Sequence, residues 1–561
     1  MTSTPAKRSG GQILVDQLLA QGVAHVFCVP GESFLGVLDA LHDAPVALTV
    51  CRQEGGAAMM AEAQGKLNGR PGICFVSRGP GASNAAAGVH VAHHDSTPLL
   101  MFVGQVERSV RGREAFQELD LRAVFGSMAK WVVEIDEPRR IPELVARAFH
   151  SAISGRPGPV VIGLPQDMLD EFACVADAQP CVAPQAHPSA VDLSRLQALL
   201  AQAQRPLLVL GGSRWSAEAV AELQAFAERF ELPTACSFRR QMLFDHEHRC
   251  YAGDIGLGIN PRLAERVRQA DLLLLIGARF AEVPSQGYTL LDIPTPAQTL
   301  VQVHADAAEL GKVYHPALAI QASPEPFAAA LAALPRPSAC PWREWTRSAR
   351  QDYLDWSDLA LIRLPGTLQV GQLVQTLAAT LPTDAILCNG AGNFATWVHR
   401  FWRFRRYATQ LAPTSGTMGY GVPAAIAAKR LWPQRSVVAF AGDGDFMMHG
   451  QELATAVQYE LSIVVVLLDN RMYGTIRMHQ ERQYPGRVVG TALRNPDFAA
   501  LAVAYGAHGE RIETTAEFAP ALERALASGK PALLHCLLDP EAITPTTTLS
   551  ALREAGRGQQ R

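Results

Sequence analysis

Two apolar runs near the C-terminal end constrain this chain more than any other feature: SVVAFAGDGDF at 436–446 and LSIVVVLLDN at 461–470, separated by a more polar segment at 447–459 read as a helix. Uninterrupted β-branched and aliphatic runs of this length are strands of a parallel sheet covered on both faces. The first run ends in Gly442-Asp443-Gly444 and the second in Asp469-Asn470. Ligands of open α/β sheets bind beyond the carboxyl ends of strands. A carboxylate (Asp443) at one strand end and an amide (Asn470) at the next make an oxygen-rich site suited to Mg²⁺, which keeps phosphate oxygens as further ligands. The glycines beside Asp443 let backbone approach a diphosphate closely. Taken singly, GDG and DN are also ordinary turn residues; their combination on adjacent strands points to a metal-diphosphate site.

The remaining composition sets outer bounds. A chain of 561 residues exceeds one core, and three domains is the natural division. Fifty basic and 53 acidic residues leave no field for nucleic acid or a membrane surface. No apolar run is long enough to span a bilayer, and the opening MTSTPAKR lacks a signal-peptide core. The ten cysteines form no CxxC pair and read as reduced thiols of a cytoplasmic protein.

In chain order, a helix near 10–21 leads into buried strands at 23–30, 46–50, 72–77, 99–103 and 160–163, which place a first domain at 1–175. Residues 165–188 mix Pro, Ala and Gln without periodicity and read as a linker. Strands at 206–212, 271–278 and 299–304 mark a Rossmann-like second domain at 190–335, which a Pro-rich connection at 334–341 closes. The third domain, 365–550, holds the opening motif. The predicted class is α/β: three doubly wound, mostly parallel-sheet domains, the first and third related. Glycine strings at 79–84, 253–258 and 419–424 are weak dinucleotide signals, and 253–258 reads as a loop. A nicotinamide dehydrogenase is therefore the lesser alternative.

GDG followed one strand later by Asn470 resembles the thiamine-diphosphate fingerprint. The wider match is to the acetolactate-synthase-like branch of that family and spans nearly the whole chain. It rests on RQEGGAAMMA (52–61), RGPGASN (78–84), DSTP (95–98), FQE (116–118), RPGP (156–159), GTMGYGVP (416–423) and QELATA (451–456). The resemblance implies that Asp443, Asn470 and the Met472 carbonyl bind Mg²⁺, while Gly442, Gly444 and Asp445 face the diphosphate. Met418 wedges beneath the bent cofactor, and the Gly416 carbonyl accepts from its 4′-amino group. Glu54 contacts the pyrimidine N1′ and shuttles its proton. Gln117 borders the cofactor as a second catalytic residue. Pro30, Gly31, Pro80, Asn84, Gly392, Asn393, Phe394 and Tyr473 complete the cofactor's surroundings. Since Glu54 and the metal motif lie in different domains, the resemblance also implies a homodimer or homotetramer with the site at the subunit interface.

The residues around Glu54 bear on this independently. Desolvation beside Gly55, Gly56, Ala57 and Ala58 disfavours an ionised carboxylate and suits proton sharing near neutral pH. A solvated glutamate stabilised by a helix N-terminus fits the same residues, so they leave both readings open.

Departures from the synthases bear on the substrate. His479 stands where they carry a Trp that selects the acceptor, Gly392-Asn393-Phe394 replaces Gly-Gln-His, and Gly31-Glu32-Ser33 replaces Gly-Gly-Ala. Glu32 and Ser33 thereby become candidate substrate residues with His479, although a surface loop accounts for Glu32 equally. His93-His94 reads as structural or interfacial, and His449 as close to the diphosphate or on a helix surface. The basic-aromatic run HRFWRFRRY (399–407) reads as a packed helix with solvated arginines.

The implied activity is decarboxylation of a pyruvate-like 2-oxo acid, followed by carboligation of the resulting enamine to a second carbonyl. A non-ligating decarboxylase or C–C lyase is the near alternative, and a non-catalytic cofactor-binding protein the distant one. Many relatives carry FAD in the middle domain, and Gly277-Ala-Arg279-Phe280 resembles part of their binding string, so FAD stays open.

Overall fold

Three stretches of chain each supply six largely apolar strands, and each set forms its own parallel sheet. The computed structural model describes residues 6–337 and 339–559. Residues 1–5, in the opening that lacks a signal-peptide core, Ser338, in the Pro-rich connection, and residues 560–561 lie outside the described residues.

The chain opens with β1 (Lys7–Ser9), followed by β2 (His25–Cys28), β3 (Ala47–Val50), β4 (Gly72–Ser77), β5 (Leu99–Gln105), β6 (Trp131–Glu134) and β7 (Pro159–Pro165). The last six form the first sheet in the order β3-β2-β4-β5-β7-β6. β8 (Phe172–Cys174) returns to pair antiparallel with β1. The middle sheet, in the order β11-β10-β9-β12-β13-β14, takes β9 (Pro206–Leu210), β10 (Thr234–Ser237), β11 (Tyr251–Ile255), β12 (Leu272–Ile276), β13 (Thr299–His304) and β14 (Leu318–Gln321). The third takes β15 (Ile386–Asn389), β16 (Gln410–Leu411), β17 (Val437–Gly442), β18 (Val464–Asp469), β19 (His508–Ile512) and β20 (Ala532–Leu537), in the order β16-β15-β17-β18-β20-β19. The inner strands are largely buried, as their unbroken apolar runs require, while the edge strands β14 and β19 keep exposed residues.

The strand orders carry two consequences. First and third sheets share one topology, so the expected kinship between them is visible in their connections. The winding reverses between β2 and β4 in the first sheet, and between β15 and β17 in the third. Those reversals open the crevices where α/β sheets bind ligands.

By internal contacts the chain forms two compact units. One joins the first sheet's part of the chain, through Pro184, with Pro413–Pro433 and Met447–Leu461; the other holds Gln185–Ala412, Gln434–Phe446 and Ser462–Arg561. In the first unit, the helix Gly421–Leu431 packs on the helix Glu54–Asn68. A buried polar cluster lies between them. Glu62 accepts from Thr97 Oγ1 (2.6 Å) and Tyr420 Oη (2.6 Å), Lys66 pairs with Glu62 and Asp95, and Asp95 accepts from the Thr414 N–H (2.6 Å). Burial raises the Glu62 carboxyl against the pull of Lys66. A buried charge left without such partners costs several kcal/mol, roughly 3–5, so the cluster fixes segment 413–433 in register.

Four sequence readings need correction. The GDG motif is no turn, because a helix begins at Asp443 and runs to His449; a single 3₁₀ turn and the helix Leu453–Gln458 then replace the one helix expected at 447–459. The 253–258 string is not all loop. Gly253, at φ +119°, sits inside β11 where the ladder to β10 shifts register, a conformation open to glycine at little cost. The presumed linker at 165–188 contains the helix Gln166–Asp170 and β8. In the basic-aromatic run the helix stops at Phe401, and two of its arginines are half-buried rather than solvated. The Arg400 guanidinium lies 3.7 Å from the Trp356 ring centroid and that of Arg403 lies 4.6 Å from Tyr353.

Candidate active site

In the first unit, the predicted residues collect at the β2/β4 crevice. β2 ends just before Pro30 and Gly31, and a Cβ at Gly31 would fall on the Ser77 side chain at the end of β4. Ser33, fully buried, shares a 2.7 Å hydrogen bond with Ser77. Glu32 is exposed, with its carboxylate 3.6 Å from the Arg78 guanidinium. After β4 a long helix begins at Arg78 and ends at Asp95, with His93 and His94 in its last turn. Pro80 and Asn84 are exposed in its first two turns.

Glu54 is the first residue of the helix Glu54–Asn68 and is half-buried. Asn84 Nδ2 donates to Glu54 Oε2 at 2.9 Å, so helices from two strand ends meet at this carboxylate. The Gln117 carbonyl accepts from the Gly79 N–H at 2.9 Å, and Gln117 itself holds φ +65°. A non-glycine residue in that region costs roughly 1–3 kcal/mol and persists only where its surroundings enforce it. Gly416, at φ +69°, and Met418 are exposed in the segment that Asp95 anchors through Thr414.

In the second unit, the crevice lies between the ends of β15 and β17. The residues after β15 form a tight loop. Asp445, buried, accepts from the Ala391 N–H at 2.9 Å and packs so closely on Gly390 that no Cβ fits there. Arg239 Nη2 donates to the Gly390 carbonyl at 2.9 Å. The Phe394 ring covers both Gly392 and Gly442, within 2.9 Å of where their Cβ atoms would be. Asn393 is tied to the helix Gly474–Gln483: its N–H donates to Thr475 Oγ1 (3.1 Å), and its Oδ1 accepts from that hydroxyl (3.0 Å). His479 is exposed on the same helix.

Asp443 is 3% exposed. Asn495 Nδ2 donates to Asp443 Oδ2 (2.7 Å) and to Asp469 Oδ1 (2.7 Å), while Asp469 Oδ2 lies 3.0 Å from His535 Nε2. Burial pushes the Asp443 carboxyl up to about 6 against the Asn495 hydrogen bond. Asp469 is buried too, yet hydrogen bonds from His535, the Arg471 N–H and Asn495 hold it below the usual range. A buried carboxylate whose hydrogen-bond donors, the Asn495 amide and the Gly444 N–H among them, are uncharged is poised for a cation. Asn470 is half-buried, its amide 3.0 Å from where a Gly474 Cβ would lie, and Met472 is buried one residue before Tyr473, whose ring closes over Gly444 at 2.6 Å from a Cβ placed there. Asp443 follows β17, and Asn470 and Met472 follow the adjacent β18; a carboxylate, an amide oxygen and a carbonyl are donors of the kind a hard cation takes. Among the described residues, no group of three His, Cys, Asp or Glu side chains could hold a metal.

The chain matches three family models in order. Residues 8–124 match the thiamine pyrophosphate enzyme N-terminal TPP binding domain, 193–331 the central domain and 390–536 the C-terminal TPP binding domain. It is 32% identical over 538 residues to the acetolactate synthase isozyme 2 large subunit of Escherichia coli, covering 95% of this chain and 96% of that one. It is 31% identical over 546 residues to the acetolactate synthase large subunit of Corynebacterium glutamicum, covering 93% and 86%. The chain belongs to the thiamine pyrophosphate enzyme family.

In this thiamine pyrophosphate enzyme, every candidate residue falls within the two TPP binding domains. The N-terminal one carries residues from Pro30 to Gln117, and the C-terminal one residues from Gly392 to His479. Asn495, Asp469 and His535, which brace Asp443, were missed by sequence reasoning. So was Glu452, which braces the loop before Glu54. The only sequence trace of Asn495 is its place in RNPDF (494–498), where Asp497 is legible as a helix cap but Asn495 carries no signal. Among the described residues no helix is long and apolar enough to cross a membrane.

Proposed function

We propose that this enzyme uses thiamine diphosphate and Mg²⁺ to decarboxylate a pyruvate-like 2-oxo acid and to join the remaining fragment to a second carbonyl compound. The observation that carries this reading is the Asp443 site: a buried carboxylate at the β15/β17 reversal, directly after β17, with Asn470 directly after the adjacent β18, in a chain whose relatives include acetolactate synthase large subunits.

When bound, the cofactor supplies a nucleophilic carbon and an electron sink for the pair released on loss of CO₂. Asp443, Asn470 and the Met472 carbonyl would hold the cation. Backbone at Gly442 and Gly444 would lie along the diphosphate, with Phe394 and Tyr473 excluding water and Asp445 bracing the Gly390 loop. Gly392 and Asn393 would border the same end. Glu54 would hold a proton at the pyrimidine N1′, oriented by Asn84. The Gly416 carbonyl would accept from the 4′-amino group, and Met418 would support the bent conformation. Gln117, Pro30, Gly31 and Pro80 would line the reacting end, and the exposed Glu32 and His479 would meet substrate; Ser33, an expected substrate residue, is fully buried against Ser77 and would brace the loop instead.

The two TPP binding domains would act across a subunit interface of a homodimer or homotetramer in the cytoplasm. The net reaction is redox-neutral, so a flavin, if bound through the Gly277–Phe280 region, would serve structure. His479, exposed where the synthases carry Trp, favours an acceptor that differs from theirs. Product analysis by NMR after incubation with thiamine diphosphate, Mg²⁺ and pyruvate tests the reading. A ligated product supports it, and acetaldehyde alone would move the enzyme to the decarboxylases.

A further inference from the structure

The loop that delivers Glu54 is held along its whole length by the segment Met447–Leu461, within the same compact unit. The Val50 N–H donates to Tyr459 Oη at 2.8 Å, and the Arg52 guanidinium donates to Gln458 Oε1 at 2.6 Å. Both oxygens of Glu452 accept from the Arg52 N–H (3.0 and 3.2 Å), and Oε1 accepts from the Gln53 N–H as well (2.9 Å). His449 Nε2 lies 3.1 Å from Gln53 Oε1, the same oxygen that caps the helix through the Gly56 N–H at 3.1 Å.

Glu452 has no solvent exposure. Its carboxyl is raised by burial against hydrogen bonds from Thr455, Arg52 and Gln53. Such a group is retained against its desolvation cost where its geometry does something a hydrophobic residue could not. Its reach depends on the glycines after Glu54. A Cβ at Gly56 would sit 2.6 Å from Glu452 Oε1, and one at Gly55 would sit 2.7 Å from Gln53 Oε1 and 2.9 Å from His449 Nε2. The two peptide N–H groups that Glu452 clamps are the ones immediately before Glu54, so they set the direction in which that residue leaves the loop.

We propose that Glu452 is the positioning residue for Glu54, fixing the backbone at Arg52 and Gln53 so that the Glu54 carboxylate meets the cofactor's pyrimidine ring. This rests on the role given to Glu54 above. An amide at position 452 keeps the size but has one acceptor oxygen where the carboxylate has two, so its NH₂ group meets the Arg52 N–H and the Thr455 hydroxyl that Oε2 received, and the charge-assisted clamp on the loop is lost. A misplacement of about 1 Å costs on the order of 100-fold in a proton transfer.

The test uses the full-length protein with thiamine diphosphate and Mg²⁺, without substrate, and reads exchange of the cofactor's C2 proton for deuterium by quenched-flow NMR. Glu452→Gln is expected to slow exchange about 10–100-fold while cofactor affinity changes less than about threefold. Glu452→Asp, which keeps the carboxylate, should recover part of the rate and serves as the variant of record should Glu452→Gln fail to fold. Exchange at the parent rate in a folded variant, or a loss that merely tracks weaker cofactor binding, would overturn the proposal. Glu54→Gln separates the premise: exchange undiminished in that variant removes the role of Glu54 itself, whatever Glu452 does.

Discussion

The buried carboxylates of Asp443 and Asp469 share a single donor, with Asn495 Nδ2 placed 2.7 Å from an oxygen of each. They stand at the carboxyl ends of two adjacent parallel strands, β17 and β18, so without that amide two like charges would face each other away from solvent. Asn495→Ala should therefore weaken Mg²⁺ binding about 10–100-fold at saturating thiamine diphosphate, the usual cost of losing a residue that orients a metal ligand. Isothermal titration reads this without turnover; unchanged affinity would remove Asn495 from the site.

Tyr473 closes over Gly444 with no room for a methyl group, 2.6 Å from where a Cβ would be. Gly444→Ala must push that ring off the crevice and should raise the dissociation constant for thiamine diphosphate about tenfold, equivalent to about 1.4 kcal/mol. The double variant Gly444→Ala/Tyr473→Ala should then lose less than the two single losses added together, because the clash is absent from it. Strict additivity, measured by fluorescence titration, would contradict the packing.

Two buried histidines of the second unit set its acid stability. Burial, assisted by Arg403, pushes His246 down to about 3; burial, assisted by Arg239, does the same to His399. The unfolded chain protonates both near 6.5 while the folded protein keeps them neutral. Their contribution is thus complete above about pH 6.5 and is lost as pH falls toward 3, by up to about 1.4 kcal/mol per unit for each ring. The unfolding midpoint in urea should fall steeply from pH 6.5 to 4.5. His246→Phe, which loses the 3.1 Å contact to the Gln241 carbonyl, should lower the midpoint at pH 7 yet flatten the slope. An unaltered slope would refute the assignment.

The strand at each end of the metal motif was legible because continuous apolar runs have few other places to go. The helix start at Asp443 was not: two glycines and two aspartates argue against helix by propensity, but Asp443 and Asp445 in a first turn are favoured by the helix dipole. Gly253 misled for a related reason, since only the structure reveals that a positive φ serves a register shift within β11 rather than a loop. Glu54 stood out by its neighbours and its resemblance. Glu452 lay inside a quoted motif, but its partners are backbone amides some 400 residues away in sequence, and no local pattern encodes those. The packing of 413–433 and 447–461 with the first sheet's part of the chain is likewise a tertiary fact without a sequence signature.

On the function proposed above, Glu54 and the Asp443 site together run carbon–carbon chemistry on a 2-oxo acid. The most direct measurement incubates the purified enzyme with thiamine diphosphate, Mg²⁺ and pyruvate, and identifies products by NMR beside Glu54→Gln. Acetolactate or another ligated product, reduced about 100-fold or more in the variant, is the predicted result. Pyruvate left unconsumed by protein with the cofactor demonstrably bound, or product formed equally by Glu54→Gln, would contradict the account.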